Sequence, residues 1–158
     1  MQLTVGIGDA KFSDSPDDVL VTFSLGSCIG LVAYDPVLKV GGLVHCLLPL
    51  SRMDPERAAV RPEVFADTGV HMLLHRMVEM GAPLKRLVLK LAGGAAPLKN
   101  VTVFQIGRRN VEVCRRLLAK NGLRVAAEDT GGDQSRTVYL YLADGRTVIR
   151  SPDGDKEL

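Results

Sequence analysis

Residues 19–48 read VLVTFSLGSCIGLVAYDPVLKVGGLVHCLL, and the fold follows from how this stretch is parsed. Residues 19–24 (VLVTFS) are rich in β-branched side chains, which suit a pleated, half-buried surface, and predict a strand. The runs from Cys28 to Tyr34 and from Gly42 to Leu48 are apolar and too short for typical helices. Asp35-Pro36 and a Lys-containing connector join them, so they predict a hairpin.

Working outward, residues 3–8 read as a further strand, set off by a Ser/Pro/Asp stretch at 13–18. Residues 50–63 (LSRMDPERAAVRPE) are polar, contain two prolines and lack periodicity, which predicts a long surface loop, a class that often carries function. Pro62 fits the first position of a helix whose face carries Phe65, Gly69, Met72, Leu73, Met77 and Met80, with Gly81 as its stop. Residues 87–91 alternate as a strand running into AGGAA at 92–96. After VTVF at 101–104, residues 108–121 place Val111, Cys114, Leu117 and Leu118 on one helical face, ending at Gly122. Residues 123–127, 137–142 and 146–150 read as strands, the last two joined by Ala143-Asp144-Gly145. The last eight residues look frayed. About eight strands to two long helices is too strand-rich for a doubly wound sheet, so the expected class is α+β with mixed sheets.

The chain has 158 residues, 46% of them apolar and 24% charged, the size and balance of one domain spanning 1–158. No apolar run approaches the ~20 residues of a membrane span, and the start MQLTVGIGDAKF has no basic head followed by an apolar stretch. The expectation is a cytoplasmic protein without membrane insertion. Lys and Arg number 20 against 18 Asp and Glu, mixed along the chain, and aromatics are 4% with no Trp. Neither feature suits nucleic-acid binding. Cys28, Cys46 and Cys114 cannot all pair with one another, and a reducing compartment keeps them as thiols.

Gly26-Ser27-Cys28 lies at the exit of a predicted strand, where two small residues allow a tight bend and close approach to a thiol. A cysteine of ordinary pKa is only about 3% thiolate at pH 7, so a nucleophile there needs a base. Of three histidines, His45 lies on the strand that pairs back against the segment after Cys28, whereas His71 and His75 fall on the first long helix. Thr22 on the preceding strand can offer a hydroxyl or a carbonyl to fix the imidazole tautomer. Spacing alone leaves buried core as the commoner reading of one Cys and one His on apolar strands.

The strings VTFSLGSC (21–28) and GGLVHCLLP (41–49), with AGGA (92–95), IGRRNVE (106–112) and AEDTGG (127–132) plus Arg136, resemble the chemoreceptor glutamine deamidases known as CheD. The likeness runs in order over roughly residues 3–150. It implies a Cys, His and Thr triad falling on Cys28, His45 and Thr22. Gly26, Ser27, Gly93 and Gly94 are candidate substrate contacts because small residues allow close approach, and no cofactor or metal is expected. Ser24 stands where the family more often has Gly. The implied fold packs sheets as a sandwich-like core with two long flanking helices, similar to toxin-type cysteine deamidases. The implied reaction hydrolyses glutamines on cytoplasmic helices of methyl-accepting chemoreceptors to glutamates and ammonia, with receptor glutamyl methyl esters as further substrates of some members. The implied partners are those receptors and a CheC-type phosphatase. A non-catalytic adaptor and a peroxide-sensing thiol with Cys46 as resolving partner are the rival readings.

Other motifs have plainer expectations. Adjacent strand residues face opposite ways, so Cys46 should turn away from any site that His45 faces, and Cys114 should be core. His71 and His75 have metal-ligand spacing but no third ligand. Gly93-Gly94 is either a bend or a substrate-facing wall. Gly131-Gly132 with Asp129 and Arg136 reads as a polar turn, and Arg108, Arg109, Arg115, Arg116 and Lys120 make the second helix cationic, as a solvated face or a docking surface.

Overall fold

A computed structural model describes residues 1–96 and 105–158, so the VTVF run lies outside the described residues. The first strands are β1 (Gln2–Thr4), β2 (Asp9–Ser13), β3 (Val19–Leu25), β4 (Ile29–Asp35) and β5 (Val40–Cys46). Helices α1 (Pro55–Val60) and α2 (Ala66–Glu79) follow, then β6 (Val88–Gly93), α3 (Ile106–Lys120), β7 (Ala127–Thr130), β8 (Arg136–Tyr141), β9 (Thr147–Ser151) and β10 (Gly154–Glu157).

The strands form two five-stranded sheets, ordered β1-β3-β8-β9-β10 and β2-β5-β4-β6-β7. Both are mixed, because β1 runs parallel to β3 and β6 parallel to β7 while the other pairs are antiparallel. The burial patterns explain the sequences. Every residue of β4 and β5 is buried, the signature of strands covered on both faces, whereas β8 alternates buried and half-buried as a strand with one open face does. One core lies between the sheets, joining Leu20, Leu25, Val138 and Leu140 to Val32, Tyr34 and Leu43. The other lies between the second sheet and the helices, joining Ile29, Leu31, Val44 and Cys46 to Val70, Leu73 and Met77 of α2 and to Val111, Cys114 and Leu118 of α3. The result is the expected α+β sandwich with two long flanking helices.

Several local expectations are corrected. The strand expected at 3–8 stops at Thr4, and the unexpected β2 pairs antiparallel with β5. Residues 50–63 are not a plain loop. Asp54 caps α1 by accepting from Arg57 N at 3.2 Å and Pro55 supplies its first residue, so the proline opens a helix instead of preventing one. Pro62 opens only a short 3₁₀ turn, and α2 starts at Ala66 after an extended Phe65 that bridges Leu48. The strand expected at 123–127 is displaced to β7, because Leu123 N is used to close the end of α3 by donating to Leu118 O at 2.8 Å. The tail is not frayed: β10 pairs with β9, and Lys90 Nζ donates to the Leu158 carbonyl at 2.8 Å.

Strand β3 carries the irregularity that shapes the site. Its register with β8 steps from Thr22↔Val138 to Leu25↔Arg136, so β3 holds one extra residue, a bulge. Ser24 within it is exposed and has φ +59°, a left-handed conformation that favours glycine. Ser24→Gly is therefore expected to stabilise the protein by about 1 kcal/mol, read from the midpoint of a denaturant titration.

Candidate active site

The register of the β4–β5 hairpin brings the thiol and the imidazole to one face. His45 lies opposite Gly30, and Ile29 opposite Cys46. Cys28 stands two residues before Gly30, and side chains alternate along a strand, so Cys28 and His45 are diagonal neighbours on the side facing the first sheet. Ile29 and Cys46 point the other way, into the helix-side core. Gly30 lets its neighbours close on the strand: a Cβ there would lie 3.0 Å from Leu25 Cδ1 and 3.6 Å from Thr22 Cγ2.

Thr22 reaches His45 across the sandwich. Its Oγ1 lies 2.7 Å from His45 Nδ1 and donates to the Val5 carbonyl at 2.8 Å. A carbonyl only accepts and a hydroxyl has one proton, so the Thr22 proton is committed to Val5. Oγ1 must therefore accept from Nδ1–H. That fixes the neutral tautomer with its lone pair on Nε2, and Nε2 has no protein partner among the described residues. The tautomer assigned in this way is the one a general base requires. In the resting state the Cys28 thiol is not hydrogen-bonded to Nε2. Such bonds are often open without substrate and close in the reacting complex.

Burial sets the charge state of both groups. It lowers His45 to about 4 and raises the Cys28 thiol above its ordinary value, a rise partly offset by the residue's own backbone N–H against the sulfur. At neutral pH the site is thus a thiol beside a neutral imidazole, with no preformed thiolate–imidazolium pair. Among the three thiols, Cys28 retains 7% exposure while Cys46 and Cys114 have none. Burial also pushes Cys46 well up and Cys114 to about 12, which makes both inert. Cys46 on the far face is badly placed to resolve an oxidised Cys28.

The turn that presents Cys28 is braced from behind. Gly94 N donates to the Cys28 carbonyl and Ala95 N to the Gly26 carbonyl, each at 2.8 Å. Gly93 and Gly94 have φ +104° and +66°. A Cβ on Gly93 would come within 2.2 Å of the Cys28 carbonyl oxygen, and one on Gly94 within 2.4 Å of Val111 Cγ2. Both glycines are buried and form the bend that supports the turn. Gly26 and Ser27 are half-buried beside the thiol.

Asn110, which the sequence reading does not single out, also reaches the turn. It lies on the buried stripe of α3 with Val111, Cys114 and Leu118, and its Nδ2 donates to the carbonyls of Ser27 at 2.9 Å and Leu47 at 3.1 Å. An amide in an otherwise apolar helical stripe was the available signal. The remaining motifs lie elsewhere. His71 and His75 stack with ring centroids 6.5 Å apart on the exposed face of α2, and the described residues hold no cluster of three metal-ligating groups. Arg136 donates to the carbonyls of Asp129, Gly131 and Gln134, bracing a polar turn. On α3, Arg108 pairs with Glu112, and Arg115 with Glu128 of β7.

Comparison with known proteins adds an independent line. The family described as CheD chemotactic sensory transduction matches residues 47–151, a span that begins two residues after His45 and so omits the triad candidates. Whole-length relatives include Thr22, Cys28 and His45 in their span. "Probable chemoreceptor glutamine deamidase CheD 2" of Anaeromyxobacter dehalogenans is 48% identical over 151 residues, covering 96% of this chain and 95% of that protein. Proteins of Solibacter usitatus and Methanococcus vannielii, each named "Probable chemoreceptor glutamine deamidase CheD", are both 42% identical, covering 99% and 100% of this chain and 93% and 100% of their own lengths. Among solved structures, the Bacillus licheniformis hypothetical protein YfiH matches 77% of this chain and 50% of that one at 17% identity and TM-score 0.46, too distant to say anything of function.

The raised thiol pKa has a direct chemical test. Iodoacetamide at pH 7 is expected to label Cys28 more slowly than a cysteine in an unstructured peptide, with the rate climbing as pH rises toward the thiol's elevated pKa. Labelling faster than the peptide at pH 7 would show a thiolate that this geometry does not supply.

Proposed function

The chain belongs to the CheD family, and from that premise we propose that it is a chemoreceptor glutamine deamidase using Cys28, His45 and Thr22. The observation that carries this reading is the Val5–Thr22–His45 hydrogen-bond chain, which leaves Nε2 as a free base on the face shared with Cys28. His45 Nε2 takes the Cys28 proton as the sulfur attacks Cδ of a receptor glutamine, forming the C–S bond and an oxyanion. The imidazolium returns that proton to the leaving nitrogen, the C–N bond breaks and ammonia departs. His45 then takes a proton from water, whose oxygen attacks the thioester. The C–S bond breaks, the sulfur recovers its proton and glutamate remains.

A neutral starting pair suits this sequence. The proton moves only when the amide carbon is in place, so charge develops where bonds change and not in the resting site. Gly26 and Ser27 are the proposed substrate contacts. The exposed segment from Ser51 to Val60 and the cationic side of α3, where Arg109, Arg116 and Lys120 have no ion-pair partner among the described residues, are proposed for docking the receptor helix or a CheC-type phosphatase.

Mass spectrometry of receptor cytoplasmic fragments incubated with the protein decides the matter. Conversion of specific glutamines to glutamates supports the reading, and unmodified glutamines bound by a folded protein favour the adaptor. Cys28→Ala and His45→Ala are expected to lose about 10² to 10⁴-fold or more in rate while Thr22→Ala retains part of it, and full turnover by a folded Cys28→Ala would reject the assignment.

The pH profile follows from His45. Its pKa is lowered to about 4, so Nε2 is already unprotonated at neutral pH and becomes protonated only as the pH falls through that value. The rate is expected to stay level on mild acidification and to drop near pH 4, and a loss centred near the ordinary histidine value of about 6.5 would contradict the buried, neutral base.

A further inference from the structure

All three carbonyls of the Gly26–Cys28 turn are occupied. Those of Gly26 and Cys28 accept backbone N–H groups of Ala95 and Gly94, but the Ser27 carbonyl accepts from a side chain, Asn110 Nδ2 at 2.9 Å. A trans peptide unit is planar, with its carbonyl and the next residue's N–H pointing in opposite directions. Whatever holds the Ser27 carbonyl therefore aims the Cys28 N–H. Among the described residues that N–H has no acceptor in any other residue.

Asn110 is fully buried, and the same Nδ2 also donates to the Leu47 carbonyl at 3.1 Å, two residues beyond His45. Two carbonyl acceptors fix the amide orientation, because only the nitrogen can face both. The consequence is that Oδ1 is buried with no partner among the described residues. An unmet buried acceptor is destabilising. An apolar residue at this point of the α3 stripe would remove that cost but strip the Ser27 and Leu47 carbonyls of this donor, so what the amide serves is those two carbonyls.

We propose that Asn110 is a positioning residue for the deamidation: by holding the Ser27 and Leu47 carbonyls it aims the Cys28 N–H at the developing oxyanion and keeps the nucleophile's turn in register with the strand bearing His45. The inference rests on the Cys28 reading above. Its effect belongs to the transition state, since the oxyanion exists only after the sulfur attacks a carbonyl carbon.

The test compares Asn110→Ala, Asn110→Leu, which retains buried volume without donors, and Leu118→Ala, a buried change elsewhere on the same face of α3. With receptor fragment as substrate, both Asn110 variants are expected to lose about 10 to 100-fold in kcat with KM little changed. Iodoacetamide labelling of Cys28, a displacement that forms no oxyanion, should keep its wild-type rate. Leu118→Ala should lower Tm while keeping kcat. The proposal is overturned if either folded Asn110 variant has wild-type kcat, if alkylation falls in step with kcat, or if Leu118→Ala loses kcat equally at the same loss of Tm. Should Asn110→Ala not fold, Asn110→Leu decides by the same criteria. Cys28→Ala run alongside separates the two failures: full activity there removes the underlying reading, whereas an inactive Cys28→Ala with a fully active Asn110 variant removes only this inference.

Discussion

A threonine hydroxyl has one proton, and in this protein Thr22 gives it to the Val5 carbonyl. Everything proposed for the site depends on that commitment. If the hydroxyl were free to donate to Nδ1, the imidazole would carry its proton on Nε2 and could not accept one from Cys28. The acceptor is backbone at the end of β1, and Val5 is itself tied to β3 by its N–H on the Val21 carbonyl at 2.7 Å. The first sheet thus dictates the protonation state of a histidine on the second, and the packing of the sandwich becomes part of the chemistry.

The same two-faced geometry sorts the thiols. Cys28 immediately precedes β4 and Cys46 ends its partner β5, yet one faces the space between the sheets and the other the helices, because successive side chains alternate along an extended chain. Cys46 and Cys114 are sealed and their thiolates strongly disfavoured, while Cys28 keeps a small opening. Burial near the site has a cost, since it raises the thiol and lowers the imidazole and so works against a resting ion pair. In return, neither group carries a charge that would have to be desolvated when a substrate amide covers it.

Much of this was legible in the sequence. Apolar runs of strand length around Asp35-Pro36 announce the hairpin, alternation separates His45 from Cys46, and a glycine-serine pair before Cys28 marks a tight turn. Features that depend on partners were harder to see. β2 (DAKFS) alternates over only five residues, with Ala10 and Phe12 on the core, and β10 (GDKE) has no apolar side chain at all, so pairing with β5 and β9 is what makes them strands. Pro55 looks like a breaker unless one knows that it opens a helix, and Pro62, which reads as the first residue of the long helix, opens only a 3₁₀ turn. Asn110 looks like one more residue of a helix until its amide is seen to bond two carbonyls from segments 83 and 63 residues away.

The sequence by itself determined the α+β class of fold and the pairing of the segments around Cys28 and His45, because these follow from local periodicity and turn chemistry; the triad on Cys28, His45 and Thr22 came from the family resemblance. The sequence left open whether Thr22 would serve through its hydroxyl or its carbonyl. Only the tertiary structure decided that, along with the tautomer, the displaced pKa values and the bracing of the turn by Gly94, Ala95 and Asn110. Each of those depends on distances between segments remote along the chain and on the exclusion of water between packed layers, and neither quantity is written in the order of the residues.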